Sequence, residues 1–544
     1  MFRQVLTPVG GSLALSFVVA ALPIIVVLVM LGGLRRPAWQ ASLGGLIVAL
    51  IIAVFIWHFP VRLAANAVAA GAVFAIWPVM WIVVNALLLY NLAVASGRFD
   101  AFRDWILEHL PDDRRIVLVV IGFCFGCLLE GISGFGTPVA ITSALLIMVG
   151  FPPLEALTFT LIFNTAPVAF GALGVPVTVL GQVTGLPAAR LAAMIGRQLP
   201  FMALLLPFYV MTLYGGWRSV RALWPVLLVA GASFAVAQFV SSNLLDYALT
   251  DVLSSLTSLI VTLLFLRVWS PRPDPEFIIL TRPTPNRSPA PNRSPTPSQS
   301  TAAIPSWHGW IPWIVVSAVV IAWTHLKISA IGQRIIPWPG LNNVVFITLY
   351  HKIYAANWVF QPFATGTAIL VAALITAPLV GIGPGRFIQA IVATWRQSRI
   401  AILTVMLIIG LAYLMNYSGL TYTLGLGVAS VGILFPLVSP FLGWVAVFLS
   451  GSDTSGNALF GNLQVVAANQ LGLNPVLIAA SNSSGGVMGK MISPQNIATG
   501  VSVTNLKGQE GVVFARTFKH SVLLTLLLGI LIVLQQYVVP WMIP

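Results

Sequence analysis

Long hydrophobic runs, separated by short polar stretches, follow one another along almost the whole chain. The first run covers residues 12–34 and is closed by Arg35 and Arg36. A helix needs about 20 apolar residues to cross a bilayer, and this run is longer than the core of a cleavable signal peptide, so we expect a retained first span. The runs together predict an all-α polytopic membrane protein with about 12–14 transmembrane segments. Several runs are interrupted by Gly and Pro, which indicates broken helices or re-entrant hairpins.

The pattern changes abruptly at residues 270–306, where Pro, Ser, Arg and Asn recur. Such a composition cannot bury apolar surface, so it predicts a disordered tether. We therefore expect an N-terminal membrane half at 1–269, a cytoplasmic tether at 270–306 and a C-terminal membrane half at 307–544. The two halves are expected to be repeat-like.

The composition supports a membrane protein and excludes a soluble enzyme. The 544 residues are 58% hydrophobic and 7% charged, whereas about a quarter of a soluble protein is charged. The net charge of +14 does not indicate a nucleic-acid partner, because Lys and Arg fall mostly in the short connections, as cytoplasmic loops require. Counting crossings between these connections places both termini in the periplasm. The lipid bilayer is the expected environment, and the oligomeric state stays open.

Charged residues within the most apolar stretches are the first candidates for a functional site, because a charge in the bilayer costs a few kcal/mol. Only Glu130 and Glu155 are charged between residues 116 and 189, and only Asp453 and Lys490 between 400 and 506. Glu155 follows a pair of prolines and suits the first turn of a helix, where the helix dipole stabilises a carboxylate. The other three residues therefore carry the functional hypothesis.

Glu130 and Asp453 have similar Gly-rich surroundings in the two halves. Ser133-Gly134 follows the first acid and Ser455-Gly456 follows the second. A second polar interruption then begins in each half, at Asn164 and at Asn482. Paired interruptions in corresponding positions indicate the binding site of a transporter. The alternative for each stretch is close helix packing through small residues.

Helix N-termini at mid-membrane, with hydroxyl and amide groups beside them, suit a small carboxylate. The candidate substrate-binding residues are Ser133, Gly134, Gly136, Thr137, Asn164, Thr165, Ser455, Gly456, Asn457, Asn482, Ser483, Ser484 and Lys490. For Lys490 three roles stay open: a positive charge for the substrate, a pair with Asp453, or a side chain that reaches the interface.

Proton coupling would remove the free-energy cost of importing an anion against the membrane potential. Moving one negative charge inward against the membrane potential costs about 2.3 kcal/mol per 100 mV, and a proton carried with each monoanion removes that cost. A carboxyl group removed from water favours its protonated form, so Glu130 and Asp453 are the candidate proton-coupling residues. The alternative is a Na⁺ site made of one acid and backbone carbonyls. We predict no catalytic residue, metal or cofactor, because the six His are dispersed without ligand spacing.

Long motifs occur on both sides of the tether. They are Gly122-Phe-Cys-Phe-Gly, Asn164-Thr-Ala-Pro-Val-Ala-Phe-Gly, Gly181-Gln-Val-Thr-Gly, Gly196-Arg-Gln-Leu-Pro-Phe, Asn416-Tyr-Ser-Gly-Leu, Gly451-Ser-Asp-Thr-Ser and Gly489-Lys-Met-Ile-Ser-Pro-Gln-Asn. These motifs resemble those of the bacterial L-lactate permeases. The resemblance implies a proton-coupled symporter of the inner membrane that imports L-lactate, with D-lactate and glycolate as further substrates. It implies no residue-by-residue site.

Other functions stay open at this point. They are a sodium-coupled or exchange-type carrier of another small carboxylate, a membrane-embedded enzyme that transfers lipid-linked groups, and a channel. An enzyme of that kind usually carries acids or His in sizeable aqueous loops, and the only long polar loop here is low-complexity. A channel would take its selectivity from a symmetric ring of ligands.

Overall fold

The computed structural model describes residues 1–30, 34, 36–132, 137–279, 305–504, 506 and 509–544. Helices dominate these ranges and coincide with the hydrophobic runs. Before the tether the α-helices are α1 (Leu13–Leu28), α2 (Ala38–Phe55), α3 (Val61–Phe74), α4 (Trp81–Ala95), α5 (Arg98–Glu108), α6 (Arg114–Val117), α7 (Gly126–Ile132), α8 (Thr137–Met148), α9 (Pro153–Phe163), α10 (Gly171–Thr184), α11 (Ala188–Ile195), α12 (Leu199–Leu244) and α13 (Thr250–Val268). After it they are α14 (Ile311–His325), α15 (Thr365–Leu379), α16 (Pro384–Ser418), α17 (Leu420–Val428), α18 (Phe435–Ser450), α19 (Asp453–Gln470), α20 (Pro475–Lys490), α21 (Pro494–Val503) and α22 (Glu510–Tyr537).

Many of these helices are long and apolar enough to cross a membrane. Within the described ranges there are eight such helical stretches, or nine if one bent pair counts as a span, besides four shorter apolar helices. One stretch, α12, folds back on itself at Gly216, where the backbone leaves the helical conformation. The close approach of Gly231 to the backbone of Leu204 shows that its two parts pack together. The predicted all-α polytopic membrane fold with broken helices is confirmed.

Short strands lie outside the helices. They are β1 (Phe2–Arg3), β2 (Arg334–Pro337), β3 (Val345–Ile347), β4 (Lys352–Ile353) and β5 (Asn357–Phe360). β1 pairs in parallel with β3, which pairs antiparallel with β4, and β2 pairs antiparallel with β5. The N-terminal residues therefore lie on the same face of the molecule as the segment between α14 and α15.

Two helix breaks shape the first half. α7 ends at Ile132 and α8 starts at Thr137 and packs back beside Gly126, which makes a helical hairpin whose tip lies outside the described residues. Farther on, the axis bends by 62° between 153–163 and 168–184. Ala172 and Leu173 have φ of 45° and 60° there, a left-handed conformation that costs a non-glycine residue about 1–3 kcal/mol. The predicted interruption after Asn164 is confirmed.

The second half breaks at one predicted place and not at the other. α18 ends at Ser450, and α19 begins at Asp453 after Ser452, whose hydroxyl accepts a hydrogen bond from the Ser455 amide. The prediction of a break at Asn482 is wrong, because α20 continues to Lys490. Glycines explain the difference: a side chain at Gly485 would overlap the backbone of α18. Small residues here bring helices together instead of breaking one.

The beginning of the tether segment packs against the helices. Asp274 lies 3.5 Å from the guanidinium groups of both Arg115 and Arg218. The Arg115 guanidinium also lies 4.5 Å from the centre of the Phe277 ring and 2.7 Å from Asp113. Residues 280–304 lie outside the described residues, so the predicted disorder of the tether is untested there.

Candidate functional site

A buried ion pair joins the two halves of the chain. Lys490, the last residue of α20, contacts Oε1 of Glu130, near the end of α7, and the two side chains are 7% and 3% exposed. The other carboxylate oxygen of Glu130 accepts a hydrogen bond of 3.0 Å from the Asn164 amide at the end of α9. A Cβ atom at Gly171 would lie 3.1 Å from Glu130 Oε1. Because position 171 is glycine, the broken helix leaves room for the Glu130 carboxylate.

This contact decides among the open roles of Lys490. The interfacial position is wrong, because the side chain is buried. A direct pair with Asp453 is also wrong, since the ammonium contacts Glu130. A positive charge inside the membrane for an anionic substrate stays a prediction.

Asp453 lies at the start of α19 and is held by two neighbours. Its Oδ2 accepts hydrogen bonds of 2.5 Å from the Ser483 hydroxyl and 3.2 Å from the Asn457 amide. Its Oδ1 has no hydrogen-bond partner among the described residues. A side chain at Gly486 would overlap Oδ1, so this glycine makes the approach of α20 possible.

Buried amides continue this cluster across three helices. The Asn482 amide donates to Asn457 Oδ1, and the Gln464 amide donates to Asn482 Oδ1, both at 2.9 Å. Gln464 Oε1 in turn accepts a hydrogen bond of 2.6 Å from the Ser439 hydroxyl on α18. Each group in such a chain polarises the next, so the cluster fixes the relative positions of α18, α19 and α20.

Ser439 and Gln464 were not predicted, because they are uncharged and lie outside the Gly-rich breaks. A helical-spacing signal was present for one of them. Asn457 follows Asp453 by four residues and precedes Gln464 by seven, and both spacings place side chains on one face of a helix.

The remaining predicted residues have other surroundings. Thr165 donates to the Ile162 carbonyl at 2.7 Å, and Ser484 donates to Gln198 Oε1 at 2.7 Å, so neither joins the clusters at Glu130 and Asp453. Ser455 is buried, and the Gly456 carbonyl accepts from the Asn482 amide at 3.3 Å. Four positions cannot be placed: Ser133, Gly134 and Gly136 lie outside the described residues, as does the side chain of Thr137.

A third buried acid, Asp251, was also missed. It is the second residue of α13 and is 0% exposed, and neither carboxylate oxygen has a hydrogen-bond partner among the described residues. A Cβ atom at Gly131 would lie 2.7 Å from its Cβ, which places Asp251 against the residue that follows Glu130. Asp251 was not predicted from the sequence, because it lies at the edge of an apolar run, where an acid is ordinarily a helix-end residue.

The charges of this region do not balance when all four groups are ionised. Glu130, Asp251 and Asp453 are acids, and among the described residues Lys490 is the one base to which they are coupled, by contact with Glu130 and electrostatically with the two aspartates. An unpaired buried ion costs several kcal/mol, so a bound proton or a counter-ion stabilises the cluster. Within the described ranges no group of three or more His, Cys, Asp or Glu residues is arranged to hold a metal. The site offers amide donors, an ammonium group and carboxyl groups.

The chain is similar to known proteins over almost its whole length. Residues 16–539 match the family model described as L-lactate permease. The chain is 40% identical over 552 residues to an L-lactate permease of Salmonella typhimurium, covering 98% of each chain. It is 41% identical over 561 residues to the glycolate permease GlcA of Escherichia coli, covering 99% of this chain and 98% of that one. An L-lactate permease of Bacillus subtilis is 40% identical over 570 residues, covering both chains fully. This multi-pass membrane protein therefore belongs to the L-lactate permease family.

Proposed function

We propose that the protein is a secondary transporter that imports L-lactate, and also D-lactate and glycolate, together with protons across the bacterial inner membrane. The observation that carries this proposal is the buried contact of Lys490, at the end of α20, with Glu130, near the break that ends α7. The relatives named L-lactate permease and glycolate permease support a small 2-hydroxy monocarboxylate as the substrate.

Lys490 is the proposed partner of the substrate carboxylate. An ammonium group has three N–H donors, and Glu130 Oε1 is its only side-chain acceptor among the described residues. The other donors are therefore available to an anion that enters between α7 and α20. Hydroxyl and amide groups of Ser483, Asn457 and Asn482 lie on the same helices as the ion pair and Asp453 and are the proposed contacts for the rest of the substrate.

Glu130 and Asp453 are the proposed proton-coupling residues. A monoanion that enters with one proton carries no net charge, so its import is not opposed by the membrane potential. Protonation of Glu130 would release Lys490 toward the substrate, and protonation of Asp453 would remove an unpaired charge from the polar cluster. Both acids lie beside helix breaks, where alternating access in transporters is commonly organised.

The proposed topology places both termini and the segment 327–361 in the periplasm. The pairing of β1 with β3 supports a shared face for the N-terminus and this segment. The meeting of Arg115 and Arg218 at Asp274 supports a second shared face, and the positive-inside rule favours the cytoplasm for these arginines. Labelling of the variants Asn343→Cys and Ser294→Cys by a membrane-impermeant maleimide in intact cells tests this topology. We expect labelling of Asn343→Cys alone.

Uptake of labelled L-lactate into proteoliposomes tests the function. We expect accumulation under an imposed pH gradient, inside alkaline, and none under a sodium gradient alone. Unlabelled D-lactate and glycolate should compete. Uptake that is indifferent to the pH gradient would refute proton coupling, and flux that never exceeds equilibrium under any gradient would indicate a channel.

Matched variants test the acids. Glu130→Gln and Asp453→Asn are expected to lose pH-driven accumulation. Glu155→Gln serves as the control, because Glu155 lies in the first turn of α9, is partly exposed and is 3.9 Å from Arg516. If both site variants accumulate lactate as the control does, neither acid is required for coupling.

A further inference from the structure

We propose that Asp251 is a third acid of the transport site and holds the coupling proton in the conformation described here. This inference rests on the proposed proton-coupled function and deepens it. No sequence motif pointed to this residue, and it follows from the contacts of the three buried acids.

The three acids differ in how completely their oxygens are occupied. Glu130 has one oxygen on Lys490 and the other on Asn164, an arrangement that stabilises the ionised carboxylate. Asp453 has two donors on one oxygen and none on the other. Asp251 has no hydrogen-bond partner among the described residues on either oxygen. Asp251 therefore has the fewest hydrogen-bond donors of the three acids, and a bound proton lowers the energy of its carboxyl group most.

The charges around Asp251 favour the same assignment. Among the described residues, Glu130 and Cys127 on α7 and Lys490 on α20 are electrostatically coupled to Asp251. α10, which also packs on α13, has no titratable side chain. The positive charge of Lys490 is already compensated by Glu130. A second negative charge at Asp251 would be opposed by Glu130 and unpaired, whereas a neutral carboxyl group removes both penalties.

A structural role as a helix-end residue does not account for these contacts. Acids in the first turn of a helix are stabilised by free N–H groups of that turn. Asp251 lies in the first turn of α13, but its oxygens accept no hydrogen bond from the described part of the chain. Its Cβ and backbone instead lie against Gly131, the residue that follows Glu130.

The proposed step balances charge and protons. The substrate anion crosses together with the proton bound to Asp251, so the transported pair carries no net charge. On the cytoplasmic side the O–H bond of the acid breaks, the proton goes to water and the substrate leaves as an anion. The empty site takes up one proton from the outside before the next cycle, so one proton and one monoanion move per turnover.

Asp251→Asn tests the assignment, because the amide keeps the size of the side chain and cannot exchange a proton. Two assays are compared in proteoliposomes: exchange of labelled external for unlabelled internal L-lactate without a gradient, and accumulation driven by a pH gradient with internal pH followed by a trapped dye. We expect the variant to retain exchange, to lose accumulation and lactate-linked proton entry, and to lose the pH dependence of exchange. Glu155→Gln should match wild type in every assay.

Other outcomes overturn the proposal. Accumulation at the wild-type level in Asp251→Asn would show that Asp251 carries no coupling proton. Loss of exchange in a monodisperse variant that lactate still protects against heat would assign Asp251 to helix motion instead. If Asp251→Asn does not fold, Asp251→Glu decides, since its displaced carboxyl must shift the pH profile of uptake and an unchanged profile refutes the assignment. A wild type that ignores the pH gradient would refute the proposed function itself, which separates the two failures.

Discussion

The buried ion pair between Lys490 and Glu130 makes a quantitative prediction for Lys490→Met. The substitution nearly preserves side-chain volume but leaves the Glu130 carboxylate without its cation. Because the two side chains are only 7% and 3% exposed, water cannot replace the lost partner. Breaking a buried pair in this way costs about 3–5 kcal/mol, so we expect a loss of that size in the free energy of unfolding.

A second substitution separates this cost from a general defect. In Glu130→Gln/Lys490→Met both partners are neutral, and the amide oxygen of Gln can still accept from Asn164. Replacing both members of a buried pair is often nearly neutral, so we expect the double variant to recover most of the loss. The assay is unfolding of the purified protein in mixed micelles. It is run at low and high salt, since a buried pair is screened little by salt.

Lys352→Met provides the control, because Lys352 is exposed and its ammonium lies 5.3 Å from the Tyr350 ring centre. An exposed cation–π contact is worth about 0.5–1 kcal/mol, so this variant sets the scale of an ordinary loss. A loss of stability in Lys490→Met no larger than that in Lys352→Met would contradict a buried ion pair. A double variant as unstable as Lys490→Met would contradict it as well.

Three further expectations concern packing, the polar cluster and the tether. Gly443→Ala should lower the yield of monodisperse protein, because a Cβ there would overlap the Asn482 carbonyl and overpacking costs about 1–3 kcal/mol. Gly385→Ala should not lower the yield, because the space around Gly385 is open. Equal yields of the two variants would contradict the close packing at Gly443. Gln464→Leu should reduce lactate exchange and cost about 1–3 kcal/mol for each buried group left without its partner; unimpaired exchange would remove the cluster from the mechanism. Deletion of residues 283–303 should leave uptake intact. A deletion extended through 274–278 should lower thermal stability, because Arg115 loses its contacts with Asp274 and Phe277. Lost uptake in a correctly inserted 283–303 deletion would show that the tether has a role in transport.

The fold was predictable from the sequence because bilayer-spanning helices need only length and apolar composition. The interruption at Asn164 was also predictable, since Asn, Pro and Gly follow one another there. The interruption at Asn482 was not, because the same Gly and Asn residues suit tight helix contacts equally well. Composition alone does not distinguish a broken helix from a closely packed one.

The charged residues Glu130, Asp453 and Lys490 were predictable as candidates, whereas their contacts were not. Scarcity of charge pointed to Glu130, Asp453 and Lys490. The partner of Lys490 depends on packing between distant parts of the chain, which no local pattern contains. Asp251 lies beside Glu130 only because α13 packs on Gly131, so its environment became visible with the structure.

The pairing of Glu130 with Lys490 also has a consequence for how the protein is made. The two residues are 360 positions apart, and at synthesis rates of about 5–20 residues per second the lysine is made roughly 20–70 s after the acid. Throughout that interval the nascent chain holds Glu130 in the insertion machinery or the bilayer without its counter-ion. The first half is therefore synthesised before the lysine that pairs with its buried acid exists.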